Sequence, residues 1–286
     1  MPAPRSVATA RSDELLALAR RVADAFPPAV VEVAVTGSVS RGVADDVSDI
    51  EMLVVTESPL ELEDAYDIAR DAGLEGLDSW GAKGTPSRRV SGYVDGQPLE
   101  LIFWPREHAE SSIDALLAGE PSSSGDALAH GVALRTSGLT AAWQARLSEY
   151  PEQLAVARIE ESALRWGGFT PAGLLTLLRP GDRLALVEWL LDSSLRVLTI
   201  VYALNRVWEP TTKRLGARIE PLAVKPERLA ERIAEALTEP DPRRALLTMT
   251  ELQLETVRLA PPGPMVERAR RWCAKGLELL GSSPSR

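Results

Sequence analysis

The sequence predicts an α+β chain in which an N-terminal mixed-sheet domain precedes an all-helical C-terminal domain. Three observations lead there. Residues 30–35 and 49–55 are apolar, β-branched runs of strand length. Residues 90–94 and 98–104 are a second such pair, and the Asp95-Gly96 between them suits a two-residue hairpin turn. After Pro121-Ser122-Ser123-Ser124-Gly125 the β-branched runs nearly vanish and long helical periodicities take over. The expected division is therefore 1–120 and 121–286, and 286 residues suffice for two domains.

The elements follow in order. A first helix is expected over 12–26, with Ser12 as N-cap, Asp13 and Glu14 at the positive end, and an apolar stripe of Leu15, Leu18, Ala19, Val22 and Phe26. Pro27-Pro28 stops it. Strand 30–35 leads into a Gly- and Ser-rich loop over 36–48, then strand 49–55. Ser58-Pro59-Leu60-Glu61 reads as an N-cap, a proline at the first helical position and a capping-box glutamate, opening a helix that ends near Gly73. The hairpin comes next. Beyond the composition change, helices are expected over 140–148, 151–166, 183–207, 226–237, 242–259 and 264–280, with Pro or Gly at several of the gaps.

Charge and composition narrow the function. A net charge of −9 offers nucleic acid no global attraction, which argues against it as a partner and favours a small acceptor. Cys273 is the one cysteine, so no disulfide framework exists within the chain and the expected compartment is cytoplasmic. It reads as a packed helical residue. His108 and His130 are the only histidines, in polar, loop-like stretches, and this set is too poor in soft ligands for zinc. No secretory signal is visible, and the apolar helix 183–207 carries Glu188, Asp192 and Arg196, so no membrane span is expected. Trp166, Trp189 and Trp208 read as packing residues.

The chemistry concentrates in Thr36-Gly37-Ser38-Val39-Ser40-Arg41-Gly42 and Ser48-Asp49-Ile50-Glu51-Met52. Alternation along a strand sends Asp49 and Glu51 to one face and Ile50 and Met52 to the other. Two neighbouring carboxylates repel, and a divalent cation that bridges them removes the cost; magnesium suits such oxygen ligands. Gly37 after a strand lets backbone N–H groups approach a phosphate, and the Ser38 hydroxyl adds a donor. Arg41 either meets phosphate oxygens or pins the turn at Gly42, the second reading being preferred. Glu100, a lone acid within Leu99-Glu100-Leu101-Ile102-Phe103, completes a three-carboxylate set if its strand neighbours the first. Such a set suits two magnesium ions. The bland alternatives are a solvated acidic strand face for Asp49 and Glu51, and an edge-strand acid for Glu100.

Gly-Ser, Arg-Gly, Asp-x-Glu on a strand and a lone acid on a later strand together resemble the nucleotidyltransferase superfamily of DNA polymerase beta. Ser48-Asp49-Ile50-Glu51-Met52 is most similar to the kanamycin nucleotidyltransferase branch, where the second acid is Glu. The resemblance implies a catalytic domain over 1–120 and a helical acceptor-binding domain over 121–286. It also implies transfer of a nucleoside monophosphate from a nucleoside triphosphate, usually ATP, to an acceptor hydroxyl. Gly37, Ser38 and Arg41 would then bind the triphosphate, and Asp49, Glu51 and Glu100 would hold two Mg2+ ions. In some antibiotic-modifying relatives a carboxylate of the helical domain is the general base. Nothing here matches it cleanly; Glu160, Glu161, Glu188 and Asp192 are candidates by location, although Arg196 four residues after Asp192 equally suits an ion-pair ladder. The expected acceptor is a small hydroxylated molecule such as an aminoglycoside. A protein or tRNA acceptor would be favoured by a basic groove around Arg41, Arg88 and Arg89, and an inactive, antitoxin-like binding protein is the remaining alternative.

Overall fold

The computed structural model describes residues 8–80, 84–120, 122, 124–164 and 170–282. The chain divides into two compact units, Met1–Glu149 and Tyr150–Arg286. The strands of the first are β1 (Val30–Val35), β2 (Ile50–Thr56), β3 (Glu75–Ser79), β4 (Arg88–Val94), β5 (Gln97–Pro105) and β6 (Val132–Arg135). They form one mixed sheet in the order β3-β4-β5-β2-β1-β6. The Asp95-Gly96 turn joins β4 to β5 as expected, both residues taking positive φ (52° and 74°). β2 and β5 run parallel, a pairing no hairpin can make; the connection between them passes through helix α3 (Leu62–Asp71), β3 and β4.

One face of the sheet is packed by α1 (Ala10–Ala25) and α3. Val33, Val35, Ile50, Met52, Val54, Val90, Leu99, Leu101 and Phe103 point into that core and meet Leu15, Leu18, Val22, Ala65 and Ala69. The helices α4 (Arg106–Ala118) and α6 (Leu139–Leu147) lie against β1, β2 and β5 but outside this core, on the opposite face. They are joined there by the indole of buried Trp143, which donates to Glu110 at 2.9 Å.

Several local expectations are corrected. The N-cap of α1 is Thr9, whose hydroxyl accepts the Ser12 amide at 3.1 Å. Ser12 is buried and accepts the Ala44 amide at 2.8 Å, tying the helix to the loop ahead of β2. The N-cap of α3 is Glu61, which forms a reciprocal capping box with Asp64, three residues beyond Ser58. The stretch read as loop opens with a helical turn, α2 (Gly37–Ser40). The edge strands β3 and β6 carry few β-branched residues and were not expected, nor were α4 and α5 (Ser124–Ala129). His108 lies on α4, edge-on to Trp104 at 5.2 Å, and burial lowers its pKa.

The first unit runs past the composition change near residue 121: β6 pairs with β1, and a buried carboxylate ties the segment after β6 to the sheet. Glu32, within β1, is 1% exposed. It accepts the backbone amides of Ser137 (2.6 Å), Leu139 (3.3 Å) and Thr140 (3.1 Å) and the hydroxyls of Thr136 and Ser137 (both 3.2 Å). The N-cap residue of α6, Gly138, has no side chain to offer, so a carboxylate from the sheet meets the orphan N–H groups instead. Burial alone would push the Glu32 carboxyl up, yet the hydrogen bonds from Thr140, Ser137 and Thr136 outweigh it and hold the pKa below the ordinary value.

The second unit is helical: α7 (Glu152–Leu164), a 3-10 helix (Gly173–Leu178), α8 (Arg183–Leu204), α9 (Leu215–Ile219), α10 (Leu229–Thr238), α11 (Pro242–Leu259) and α12 (Pro264–Gly281). α8 ends at Leu204 and not Val207 because Asn205 folds back. Its amide nitrogen donates to the carbonyls of Val201 (2.8 Å) and Val224 (2.7 Å), and its oxygen accepts the Val224 amide at 2.9 Å. Arg206 then leaves in the left-handed region (φ 54°). Leu186, Trp189, Leu190, Val197 and Val201 of α8 pack with residues of α10 and α11. Cys273 is buried against α7 and α11 residues, and burial raises its thiol pKa far above the reactive range. Trp208 packs on Tyr150 at 4.7 Å between ring centroids, while Trp166 lies outside the described residues. Among the described residues no helix is long and apolar enough to cross a membrane. A small cleft is lined by Leu174, Trp189, Gln253, Trp272 and Cys273. Among the described residues neither polar atom of the buried Gln253 amide, nor Nε1 of Trp189, meets a hydrogen-bond partner.

Two stability measurements follow. Glu32 is charged and hydrogen-bonded in the fold with a depressed pKa, so its contribution is complete above the ordinary carboxylate value. It declines as pH falls below that value and is gone below the folded one. Glu32→Gln should therefore cost about 1–3 kcal/mol near neutrality and remove part of the acid-side decline, as read by urea denaturation across pH. Gln253→Met, which replaces an unsatisfied buried amide by an apolar chain of similar length, should raise the melting temperature; an unchanged or lower value would show that the amide is satisfied in solution.

Candidate active site

The geometry of the site follows from the sheet register. β2 and β5 align Ile50 with Leu99, Glu51 with Glu100 and Met52 with Leu101. Since the flanking aliphatic residues fill the α1/α3 core, Glu51 and Glu100 both point to the opposite face. The two acids thus sit side by side on neighbouring strands, each half-buried. Asp49 precedes the first residue of β2 and is also half-buried. Among the described residues no group of three or more His, Cys, Asp or Glu side chains is arranged to hold a metal ion.

Gly37 adjoins this pair. The turn begins where the Thr36 amide donates to the Glu51 carbonyl at 2.8 Å, at the end of the β1–β2 ladder. Gly37 has φ +65°, and a Cβ there would lie 2.2 Å from Oε2 of Glu51. The glycine therefore has two reasons: a left-handed backbone and a carboxylate lying directly over it. Ser38 follows within α2, its carbonyl accepting the Val43 amide at 3.0 Å. Arg41 pins the turn, the preferred of its two expected roles. It donates to the Gly37 carbonyl at 3.1 Å and the Asp126 carbonyl at 3.1 Å, and it is ion-paired with the buried Asp126 carboxylate. His130 closes the cluster, Nδ1 lying 3.3 Å from both Arg41 and the Asp126 carboxylate. Asp126 was missed by the sequence reading; 85 residues separate it from Arg41, and no local pattern signals the pairing.

The other side of the acid pair carries a cation. Val90 of β4 is in the core, so Arg89 and Ser91 share the face of Glu100, with Ser91 directly opposite it. Arg89 Nη1 lies 3.6 Å from Glu100 Oε1, and its guanidinium carbon lies 4.3 Å from the ring centroid of Trp80. Arg88 donates to the carbonyls of Thr85 (2.7 Å) and Ser87 (3.1 Å). Arg41, Arg88 and Arg89 are thus each turned to partners within their own unit.

The residues considered for proton removal lie in the helical unit. Glu160 accepts the Met265 amide at 3.0 Å and lies against Gly263, capping α12. Glu161 is exposed, 3.9 Å from Arg158. Asp192 and Arg196 form the i,i+4 ion pair with two contacts of 2.7 Å, and Glu188 is exposed one turn earlier. A carboxylate not singled out in the sequence, Glu209, is half-buried and accepts the Thr199 hydroxyl at 3.3 Å. Burial pushes its carboxyl up, with Arg158 and Thr199 pulling it partly back.

As a donor set, Glu51, Glu100 and Asp49 supply hard oxygen ligands of the kind magnesium takes. The in-register pair fits a divalent cation, with Asp49 two residues before Glu51 on the chain.

Residues 16–80 match the family described as the nucleotidyltransferase domain. The matched segment contains Gly37, Ser38, Asp49 and Glu51 and stops short of Glu100. No curated protein matches the chain. Among solved structures, a nucleotidyltransferase-like protein from Exiguobacterium sibiricum aligns at 15% identity over 94% of this chain and 73% of its own, with a TM-score of 0.31. Terminal uridylyl transferase 4 from Trypanosoma brucei, solved with bound GTP, aligns at 14% identity over 87% and 69%, with a TM-score of 0.29. At that distance neither bears on the chemistry of this chain.

Gly37→Ala tests the turn. It should cost about 1–2 kcal/mol from the left-handed backbone alone, displace the Glu51 carboxylate, and lower any metal or nucleotide affinity more than a Gly42→Ala control.

Proposed function

We propose, on the premise that the chain carries a nucleotidyltransferase domain over residues 16–80, that it transfers a nucleoside monophosphate from a nucleoside triphosphate, ATP by preference, to a hydroxyl of a small acceptor. The observation that supports this is the in-register pair Glu51 and Glu100, on the sheet face opposite the α1/α3 core with Gly37 against Glu51. In this reading Glu51, Glu100 and Asp49 hold magnesium. Bound there, magnesium supplies neutralising charge for the phosphate oxygens and the leaving pyrophosphate.

The rest falls to the chain's own groups. Gly37 leaves room for the Glu51 carboxylate against the α2 turn, and in this reading the backbone amides of that turn and the Ser38 hydroxyl donate to a phosphate. Arg41 keeps that turn in shape from behind through Gly37 and Asp126. Catalysis then consists mainly of positioning and of a preformed charge arrangement. The helical unit provides acceptor recognition. Glu160, Glu161, Glu188 and Asp192 remain the candidates for a proton acceptor in this reading, Glu160 being engaged in capping α12 and Asp192 in its pair with Arg196.

The chain's net charge of −9 supports an acceptor that is small and hydroxylated, with amino groups as in an aminoglycoside, over a nucleic acid. The inward-turned Arg41, Arg88 and Arg89 point the same way.

The test is incubation with labelled ATP, CTP, GTP and UTP plus magnesium, against an aminoglycoside panel, tRNA and the protein itself. Label should move from ATP to an aminoglycoside; label on tRNA or protein would replace the acceptor assignment. Glu51→Gln and Glu100→Gln should each lower transfer by at least about a hundredfold while circular dichroism stays unchanged. Near-normal transfer by either variant would remove the acid pair from the mechanism.

A further inference from the structure

The reading of Glu51 and Glu100 as a cation site leaves Arg89 unexplained. A permanently charged guanidinium stands 3.6 Å from one of the two carboxylates that a divalent cation would need. That separation is beyond ordinary hydrogen-bond length, so Arg89 neutralises Glu100 without being locked to it. The contact is also partly sheltered, the side chains of Arg89 and Glu100 being 36% and 18% exposed, so solvent screens it only in part. Trp80 gives the guanidinium a second seat. Its ring, 56% exposed, lies 4.3 Å from the Arg89 carbon and can hold the cation once the carboxylate is given up.

Position within the sheet explains why this arginine and no other does so. Ser91 is the residue opposite Glu100, and its short side chain leaves room above the strand. Arg89, one pleat earlier on β4, is long enough to reach across that room. Arg88 points away from this face and spends its donors on Thr85 and Ser87.

We infer that Arg89 is a built-in counter-ion of the acid pair, occupying Glu100 until a divalent cation displaces it towards Trp80, and thereby setting how tightly the site holds metal. The inference rests on the proposed cation site and adds an order of events to it. Metal alone meets a competing charge and binds weakly. Metal arriving with a nucleoside triphosphate brings phosphate charge that offsets the displaced guanidinium, so the two ligands bind better together than separately.

Mn2+ binding, followed by its electron paramagnetic resonance signal with and without a non-hydrolysable ATP analogue, tests this on the full chain. Wild-type protein should bind Mn2+ weakly alone and more tightly with the analogue, and Glu51→Gln should abolish both. Arg89→Gln should tighten Mn2+ binding in the absence of analogue by about tenfold or more and shrink the gain the analogue provides. Arg89→Lys, which keeps the charge but loses the planar fork, should resemble wild type; a purely structural arginine would be missed equally in both variants. The Arg89→Gln effect should vanish in a Glu100→Gln background. If wild type binds Mn2+ in a Glu51-dependent way and Arg89→Gln binds no tighter, the counter-ion role is wrong and the cation site stands. If no Mn2+ binding depends on Glu51, even with the analogue, the cation site itself is wrong and the counter-ion role falls with it.

Discussion

The parallel alignment of β2 on β5 is the constraint from which the rest of the site follows. With Ile50 beside Leu99 and Met52 beside Leu101, both strands give their aliphatic residues to one core, and the alternate positions must then place Glu51 beside Glu100. A slip of one residue on either strand would bury an acid in that core and expose leucine or methionine in its place. The hydrophobic cost of such a slip is what fixes the distance between the two acids. Gly37 and Arg89 then act on an arrangement already set, one from the β1 side and one from β4.

Two buried carboxylates tie the later part of the first unit to the turn ahead of β2 and to the sheet. Asp126 pairs with Arg41, and Arg41 in turn grips the carbonyl of Gly37, so the turn beneath Glu51 is held by a segment far along the chain. Glu32, with its five hydrogen bonds from residues 136–140, fastens the start of α6 to the sheet. Both are carboxylates removed from water and compensated by charge or by several donors, the condition under which a buried charge is tolerated. Residues 124–149 thus serve the sheet although their composition resembles that of the helices that follow.

Legibility varied with the range of the interaction concerned. Strand 30–35 and helix 242–259 were readable residue for residue, and the Asp95-Gly96 hairpin nearly so, because apolar periodicity and turn chemistry are local. Helix caps were misplaced by a turn: Thr9 and Glu61 do the capping, and the Ser12 hydroxyl is taken by the Ala44 amide. The edge strands β3 and β6 escaped notice because Glu75-Gly76-Leu77-Asp78-Ser79 and Val132-Ala133-Leu134-Arg135 lack the strand signature and pair only because a neighbour offers an open edge. The acids Asp49, Glu51 and Glu100 and the glycine Gly37 were visible as chemistry out of place: charge within apolar strands, and a glycine after one.

The sequence alone determined which residues are apolar, with what period, and which charges interrupt them. That was enough for the α+β order, most helices, and the suspicion attached to Glu51 and Glu100. Only the tertiary structure decided that these two acids are neighbours, that Arg41 faces Asp126, and that Arg89 lies between Glu100 and Trp80. The physical reason is that periodicity tells which face a side chain takes, whereas strand register and order tell what it meets there. Those are settled by burial summed over the whole sheet, which no single segment encodes.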